Sequence, residues 1–352
     1  HLNIHFGYTK TYLKTAIPKK LYPNLYWSGY YCVVIFFTIS GFVITSSALN
    51  KWGTLSKVDV RHFYWLRFSR IVPMLVSLLL VLSVLHGLDV PGFVIDTSRA
   101  SWSYATFATL TFHINMYEIW VGYLPANWDI LWSISVEEFF YIFFPLVCVM
   151  LSGRRYAAWL LVIFLILSPW ARTSLFADNE LGDRNHLAYL DSIAMGCLAA
   201  VWARQTSIVG HRKRLLQVVG WALVVTVFCF RSTLYRYGLV SLGLNVSMLS
   251  LGIAMIIWSM HQDRALPGHW LFAPLHGLRR MGTYSYEVYL THMFVVILGR
   301  KLYVAAQLDE RWLVPYSLVL VGLSYLLGRA VFEWYSEPLN RWLRAKWSVA
   351  RA

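Results

Sequence analysis

Residues 132–145 read WSISVEEFFYIFFP, from Trp132 to Pro145, and this stretch decides how the chain is understood. Two adjacent carboxylates, Glu137 and Glu138, sit inside an apolar, aromatic run long enough to enter a bilayer. An ionised carboxylate in hydrocarbon costs several kcal/mol unless a partner or a water-filled cavity relieves it. At helical spacing, Ser133, Glu137 and Tyr141 share one face, so a hydroxyl, an acid and a phenol form a stripe. That stripe must point into protein. Its plainer role is a polar network between helices; its sharper role is catalysis.

Working outward, the composition agrees with a membrane setting. Of 352 residues, 58% are hydrophobic and only 14% are charged, against roughly a quarter charged in a soluble chain. The class is therefore all-α, a polytopic transmembrane helical bundle forming a single domain over residues 1–352. The net charge of +14 would suggest nucleic acid in a soluble protein. Here Lys and Arg in loops beside anionic lipid explain it, and no nucleic-acid partner is expected. Cys32, Cys148, Cys197 and Cys229 lie in apolar runs without CxxC spacing, so neither a disulfide framework nor a metal site is indicated.

Apolar runs close to the roughly 20 residues needed to cross hydrocarbon fall at 29–49, 71–88, 130–151, 156–171, 187–203, 215–230, 238–260, 283–299 and 313–328. A basic loop with Lys51, Lys57, Arg61, Arg67 and Arg70 separates the first two. Residues 101–122 form a weaker run, and the distribution of basic residues decides whether it crosses. If it does not, a majority of the 31 Lys and Arg share one side with the 51–70 loop. If it does, the majority moves to the other side. Basic residues near span ends favour the cytoplasm, so about nine spans with a cytoplasmic C-terminus are expected. The sequence opens at His1 without Met or signal peptide, which reads as a fragment whose first span is missing.

That topology puts Glu137, Glu138, Asp191, His1 and His5 at similar depth toward the outer side. An acid beside an imidazole can hold the ring in the tautomer that removes a proton from a hydroxyl. Taken alone, Asp191 is equally a first-turn residue favoured by the helix dipole, and His1 an interfacial histidine. On the cytoplasmic side, Arg67 and Arg70 in RFSRIVP share a helical face. They serve either as topogenic charges or as a bidentate grip on phosphates. FFTISGF places Phe37, Ser40 and Gly41 in mid-span, where small residues allow close packing or leave space for a threaded chain. His292 in SYEVYLTH lies mid-membrane near Tyr286, Tyr289 and Glu287, in a setting typical of a packing histidine.

FFTISGF, RFSRIVP, WSISVEEFFYIFFP, LDSIAMGCLAA and GTYSYEVYLTH occur in the order seen in the acyltransferase-3 family of integral membrane O-acyltransferases. The resemblance covers nearly the whole chain. It implies transfer of an acyl group, commonly acetyl, from cytoplasmic acyl-CoA to a hydroxyl of a carbohydrate or other acceptor at the outer side of a bacterial inner membrane. Acyl-CoA would be a donor substrate, with no permanently bound cofactor. By position, His1 resembles the family's signature histidine, with His5 as its competitor, and no esterase-like domain follows residue 340.

On this reading CoA phosphates dock near Arg67 and Arg70, and the pantetheine arm passes Ser40 and Gly41. His1, oriented by Glu137 or Asp191, then deprotonates the acceptor hydroxyl. Trp132 and Tyr141 are candidates for sugar stacking or oxyanion contact. A covalent acyl-enzyme is a second mechanism. A proton-coupled flippase of lipid-linked sugars is the alternative from another class, although no duplicated halves are evident.

Overall fold

A computed structural model describes Phe6 and residues 29–151, 154–261 and 282–349. Among these residues every regular element is helical. In chain order they are α1 (Tyr31–Trp52), α2 (Val60–Gly87), α3 (Trp102–Leu110), α4 (Ile114–Val121), α5 (Leu131–Leu151), α6 (Arg154–Thr173) and α7 (Leu190–Gln205). There follow α8 (Gly210–Cys229), α9 (Arg231–Arg236), α10 (Leu244–His261), α11 (Ser285–Ala305), α12 (Leu313–Val331) and α13 (Glu337–Val349). A five-residue π segment, Phe332–Ser336, joins α12 to α13.

Six of the described helices are long and apolar enough to cross a membrane: α1, α2, α5, α10, α11 and the continuous helix Glu310–Lys346. The other three expected spans coincide with the helices α6, α7 and α8, of which α7 and α8 are less suited to crossing. Helix α7 has only 16 residues, and α8 opens with Arg212, Lys213 and Arg214 in its first turns. In α6, Val162–Thr173 forms an apolar helix among the described residues. Large aliphatic side chains such as Leu80, Ile166 and Leu318 are more than 60% exposed, as expected where lipid replaces water.

Residues 101–122 fold as α3 and α4, of nine and eight residues. At 1.5 Å per residue neither approaches the ~30 Å of hydrocarbon. Phe112 adopts a left-handed φ of 57° at the break, and Gly122, at φ 86°, ends α4. The basic 51–70 segment is also more helical than expected. Asp59 caps α2 by accepting from the His62 amide, so Arg61, Arg67 and Arg70 ride on a helix.

Among the described residues two large apolar cores and a smaller one organise the bundle, and α5 belongs to both large ones. Val136, Phe140 and Phe144 pack with Tyr31, Phe37 and Ile193 in the first. Leu131 and Ile134 pack with Leu75, Trp128 and Leu290 in the second. The WSISVEEFFYIFFP helix is thus the seam between α1 and α7 on one side and α2 and α11 on the other. Helices α1 and α7 cross at backbone contact. A Cβ on Gly41 would lie 2.0 Å from the Ile193 carbonyl oxygen, and one on Gly196 would lie 2.0 Å from that of Thr38. Such small-residue crossings are how membrane helices gain packing without a hydrophobic drive.

Candidate active site

Successive residues of an α-helix diverge by about 100°, so Glu137 and Glu138 face different neighbours across the seam. Glu137, 8% exposed, turns toward α1, where its Oε1 accepts from the hydroxyls of Ser40 and Tyr141, which also touch each other. Glu138 turns toward α2 and accepts from Arg67 Nη2 at 3.1 Å. The Arg67 guanidinium lies 3.7 Å from the Tyr141 ring centroid, linking the two carboxylates through one aromatic ring. Arg67 Nε is buried and has no hydrogen-bond partner among the described residues. Ser40, Glu137, Glu138, Tyr141 and Arg67 are therefore brought together.

One helical turn further along α2, Arg70 forms a bidentate pair with Glu287 of α11, at 2.9 and 3.2 Å. Glu287 is fully buried and also accepts from Ser336 Oγ. Ser336 belongs to the π segment, whose extra residue re-aims side chains of the C-terminal helix toward α2. The Phe332 and Tyr286 rings flank Arg70 at 5.3 and 5.5 Å, and the Tyr286 hydroxyl donates to the Ile71 carbonyl at 3.0 Å. Both arginines expected to face phosphate thus hold carboxylates of the protein itself.

Asp191 stands apart from this group. Both its oxygens accept from Arg172, at 2.8 and 2.9 Å, and it also accepts from Ser247 Oγ and the Ser192 amide. Arg172 reaches on to the Gly243 carbonyl at 3.0 Å. None of these partners belongs to the Glu137 group, so among the described residues no shared hydrogen-bond partner joins the two acids. Gly41 takes the first of its two expected roles, close packing. The Ile193 backbone fills the space a threaded chain would need, and Gly41 serves the helix crossing.

Around Ser133 the contacts are structural. Its hydroxyl meets that of Tyr289 at 2.6 Å, and Tyr289 donates to the Ile130 carbonyl and stacks on Phe36. His292 Nδ1 lies 2.7 Å from the Tyr289 carbonyl oxygen, one turn back on α11. Phe37 and Trp132 pack together with Tyr189 in the first core. Trp132 is 8% exposed, and the Arg184 guanidinium covers its ring at 5.1 Å, so it offers no open platform to a sugar. His1 and His5 lie outside the described residues. Among the described residues no His, Cys, Asp and Glu side chains gather as a metal site.

The model of a family described as an acyltransferase domain, Acyl_transf_3, matches residues 2–334, almost the whole chain and every helix of the seam. The chain belongs to the acyltransferase-3 family. Among its relatives is the peptidoglycan O-acetyltransferase OatA of Listeria monocytogenes, 25% identical over 354 residues, covering 90% of this chain and 53% of the relative. The O-acetyltransferase OatA of Staphylococcus aureus is 22% identical over 338 residues, covering 90% and 54%. The chain spans about half the length of these relatives. No solved structure matches it.

In this acyltransferase-3 chain, sequence reasoning overlooks the cations and hydroxyls that satisfy the buried acids: Arg172, Arg184 and Ser336. A signal for the arginines does exist. Every acid inside an apolar bundle must find a cation or several donors, which directs attention to Arg172 within an apolar run. Ser336 carries no such signal, because only the π segment turns it toward Glu287.

Proposed function

We propose that the chain moves an acyl group, acetyl in the simplest case, from an acyl-CoA donor to a hydroxyl of a cell-envelope carbohydrate. The single observation behind this reading is a membrane-buried carboxylate, Glu137, bound by Ser40 and Tyr141 and linked through the Tyr141 ring to Arg67. Membership of the acyltransferase-3 family and the names of the two OatA relatives support the reaction class, and the name of the Listeria relative supports a peptidoglycan-like acceptor.

In the proposed reaction the acceptor hydroxyl oxygen attacks the thioester carbonyl while a histidine, His1 or His5, takes its proton. The oxygen–acyl bond forms, the carbon–sulfur bond breaks, and the thiolate leaves with a proton. Glu137 is the acid chosen to orient the base, since both oxygens of Asp191 are already bound to Arg172. Arg67 is the readier phosphate ligand of the pair. It gives Glu138 one terminal nitrogen, Nη2, whereas both terminal nitrogens of Arg70 are engaged by Glu287. The coenzyme enters from the cytoplasm, the side to which the basic residues assign the C-terminus.

The test is transfer of labelled acetyl from acetyl-CoA to envelope polysaccharide in membranes carrying this protein. Transfer that disappears in Glu137→Gln, His1→Ala or His5→Ala membranes supports the reading. A labelled acyl-protein would instead establish a covalent route. Sugar movement driven by a proton gradient without CoA release would replace the reading with transport.

A further inference from the structure

The end of α5 away from Glu138 carries a second charged cluster, to which the donor chemistry assigns no role. Arg184, in the short turn Gly182–Arg184, places Nη1 2.5 Å from Glu118 Oε2 and 2.8 Å from Asp129 Oδ1. Glu118 is fully buried on α4, while the Arg184 and Asp129 side chains are 12% and 21% exposed. The guanidinium lies between two aromatic rings, 4.9 Å from Tyr123 and 5.1 Å from Trp132. These rings differ in the way that matters. Trp132 is covered, whereas Tyr123 is 61% exposed and also walls a cleft of about 200 Å³ with Asp96, Arg99 and Pro125.

The plain account is a structural ion pair tying α4 and the 182–184 turn to the start of α5. It explains Glu118 and Nη1, but not the arrangement of the remaining groups. Among the described residues, Nη1 of Arg184 is its one nitrogen engaged by a carboxylate, and Oδ1 of Asp129 the one oxygen that receives it. The partly exposed edge of the cluster therefore presents guanidinium donors and a carboxylate acceptor side by side, next to an open aromatic face. A pair of neighbouring sugar hydroxyls needs this combination. Each hydroxyl both donates and accepts, and the C–H face of the ring lies against an aromatic. Two carboxylates around one guanidinium leave the cluster net negative, which repels anionic ligands. Inside α4, Glu118 Oε1 and Asn115 Oδ1 are buried acceptors without partners among the described residues. Native proteins leave few such groups, and each needs a partner such as a bridging water or a ligand.

We propose that Tyr123, Asp129 and Arg184 bind an uncharged, hydroxyl-bearing sugar unit, with Tyr123 as its stacking platform and Glu118 as the residue that positions Arg184. This rests on the reading of the protein as a carbohydrate acyltransferase and adds where the acceptor sits and which sugars it excludes. Trp132 and Glu137 are five residues apart on α5, about 7.5 Å along the axis, so a sugar held here lies beside the catalytic seam.

The deciding measurement is binding rather than turnover. The wild-type protein in nanodiscs is titrated with a neutral glucose or N-acetylglucosamine tetramer and with a uronic-acid tetramer, using ligand-observed NMR. Expected is binding of a neutral tetramer at least 10-fold tighter than the uronic acid. Tyr123→Ala should weaken the neutral ligand at least 10-fold, with no change in thermal midpoint, and Asp129→Asn should narrow the preference against the anion. In turnover assays Glu118→Gln should raise the acceptor KM while leaving the donor KM unchanged, a split that a purely structural ion pair would not produce. The proposal is overturned if no neutral tetramer binds the wild type, if Tyr123→Ala binds it equally well, or if the anionic sugar is preferred. Neutral-sugar binding without acyl transfer would overturn the acyltransferase reading and leave this site standing.

Discussion

The guanidinium of Arg67 rests 3.7 Å above the ring centre of Tyr141 while the Tyr141 hydroxyl points the other way, to Glu137. One aromatic side chain therefore serves two charges, a cation on its face and an anion at its edge. The arrangement follows the ring quadrupole and the phenol's ability to donate. It also makes the two contributions separable by substitution.

Tyr141→Phe keeps the ring under Arg67 and removes only the donor to Glu137. Transfer is expected to fall by ~10²-fold, the lower range for positioned acid–base groups, with little change in thermal midpoint. Tyr141→Ala should lose both activity and stability. Equal activity in wild type and Tyr141→Phe would remove the phenol from the mechanism.

Asp191 and Arg172 form a buried pair, their side chains 0% and 4% exposed. Removing one partner leaves the other charge unpaired, which costs about 3–5 kcal/mol, whereas replacing both with apolar residues of similar size is often near neutral. Asp191→Leu alone should sharply lower the thermal midpoint in detergent, and Asp191→Leu combined with Arg172→Met should recover most of it. If transfer recovers together with stability, Asp191 is an architectural acid. Persistent loss in a stable double variant would restore it to the chemistry.

Much of this was legible in the sequence, for identifiable physical reasons. WSISVEEFFYIFFP exposes its helical face because i, i+4 spacing is local, and Ser133, Glu137 and Tyr141 do share that face. The failure of 101–122 to cross was legible from charge, since topology depends on basic residues that can simply be counted. Pairings between distant segments were not legible. Nothing local in the chain says that Glu138 meets Arg67, that Glu287 meets Arg70, or that Asp191 turns away to Arg172. The same limit left Gly41 open between packing and substrate space, because its neighbour Ile193 lies far along the chain on α7.

His186 gives a pH signature outside the spans. Its Nδ1 faces the Asn115 amide at 3.3 Å and its ring stacks on Phe139 at 4.2 Å. Burial, and then repulsion from His113, push its pKa down to about 4. Between about 4 and the ordinary 6.5 the native state binds fewer protons than the unfolded chain. Its contribution is therefore complete above pH 6.5 and is lost as the pH falls through that window. Wild-type thermal midpoint should drop between pH 7 and pH 5, and His186→Gln should drop less. Parallel curves for the two proteins would show that other groups dominate.

The α1–α7 crossing sets the position of Ser40, because Ser40 and Gly41 are consecutive and Gly41 is pressed against the Ile193 backbone. An added methyl at Gly41 would lie 2.0 Å from a carbonyl oxygen, and main chain, unlike a flexible side-chain end, has no cheap way to yield. Overpacking of this kind costs roughly 1–3 kcal/mol where the surroundings can shift, and more where they cannot. Gly41→Ala and Gly196→Ala should therefore lower the thermal midpoint and also depress transfer in whatever folded protein remains, since separating the helices draws Ser40 away from Glu137. Gly322→Ala is the control: no atom lies within 4 Å of its added methyl, and it should match wild type in both measurements. If Gly41→Ala were as stable as the control but inactive, the glycine would be needed for open space rather than close packing, and the threaded-chain reading of FFTISGF would return.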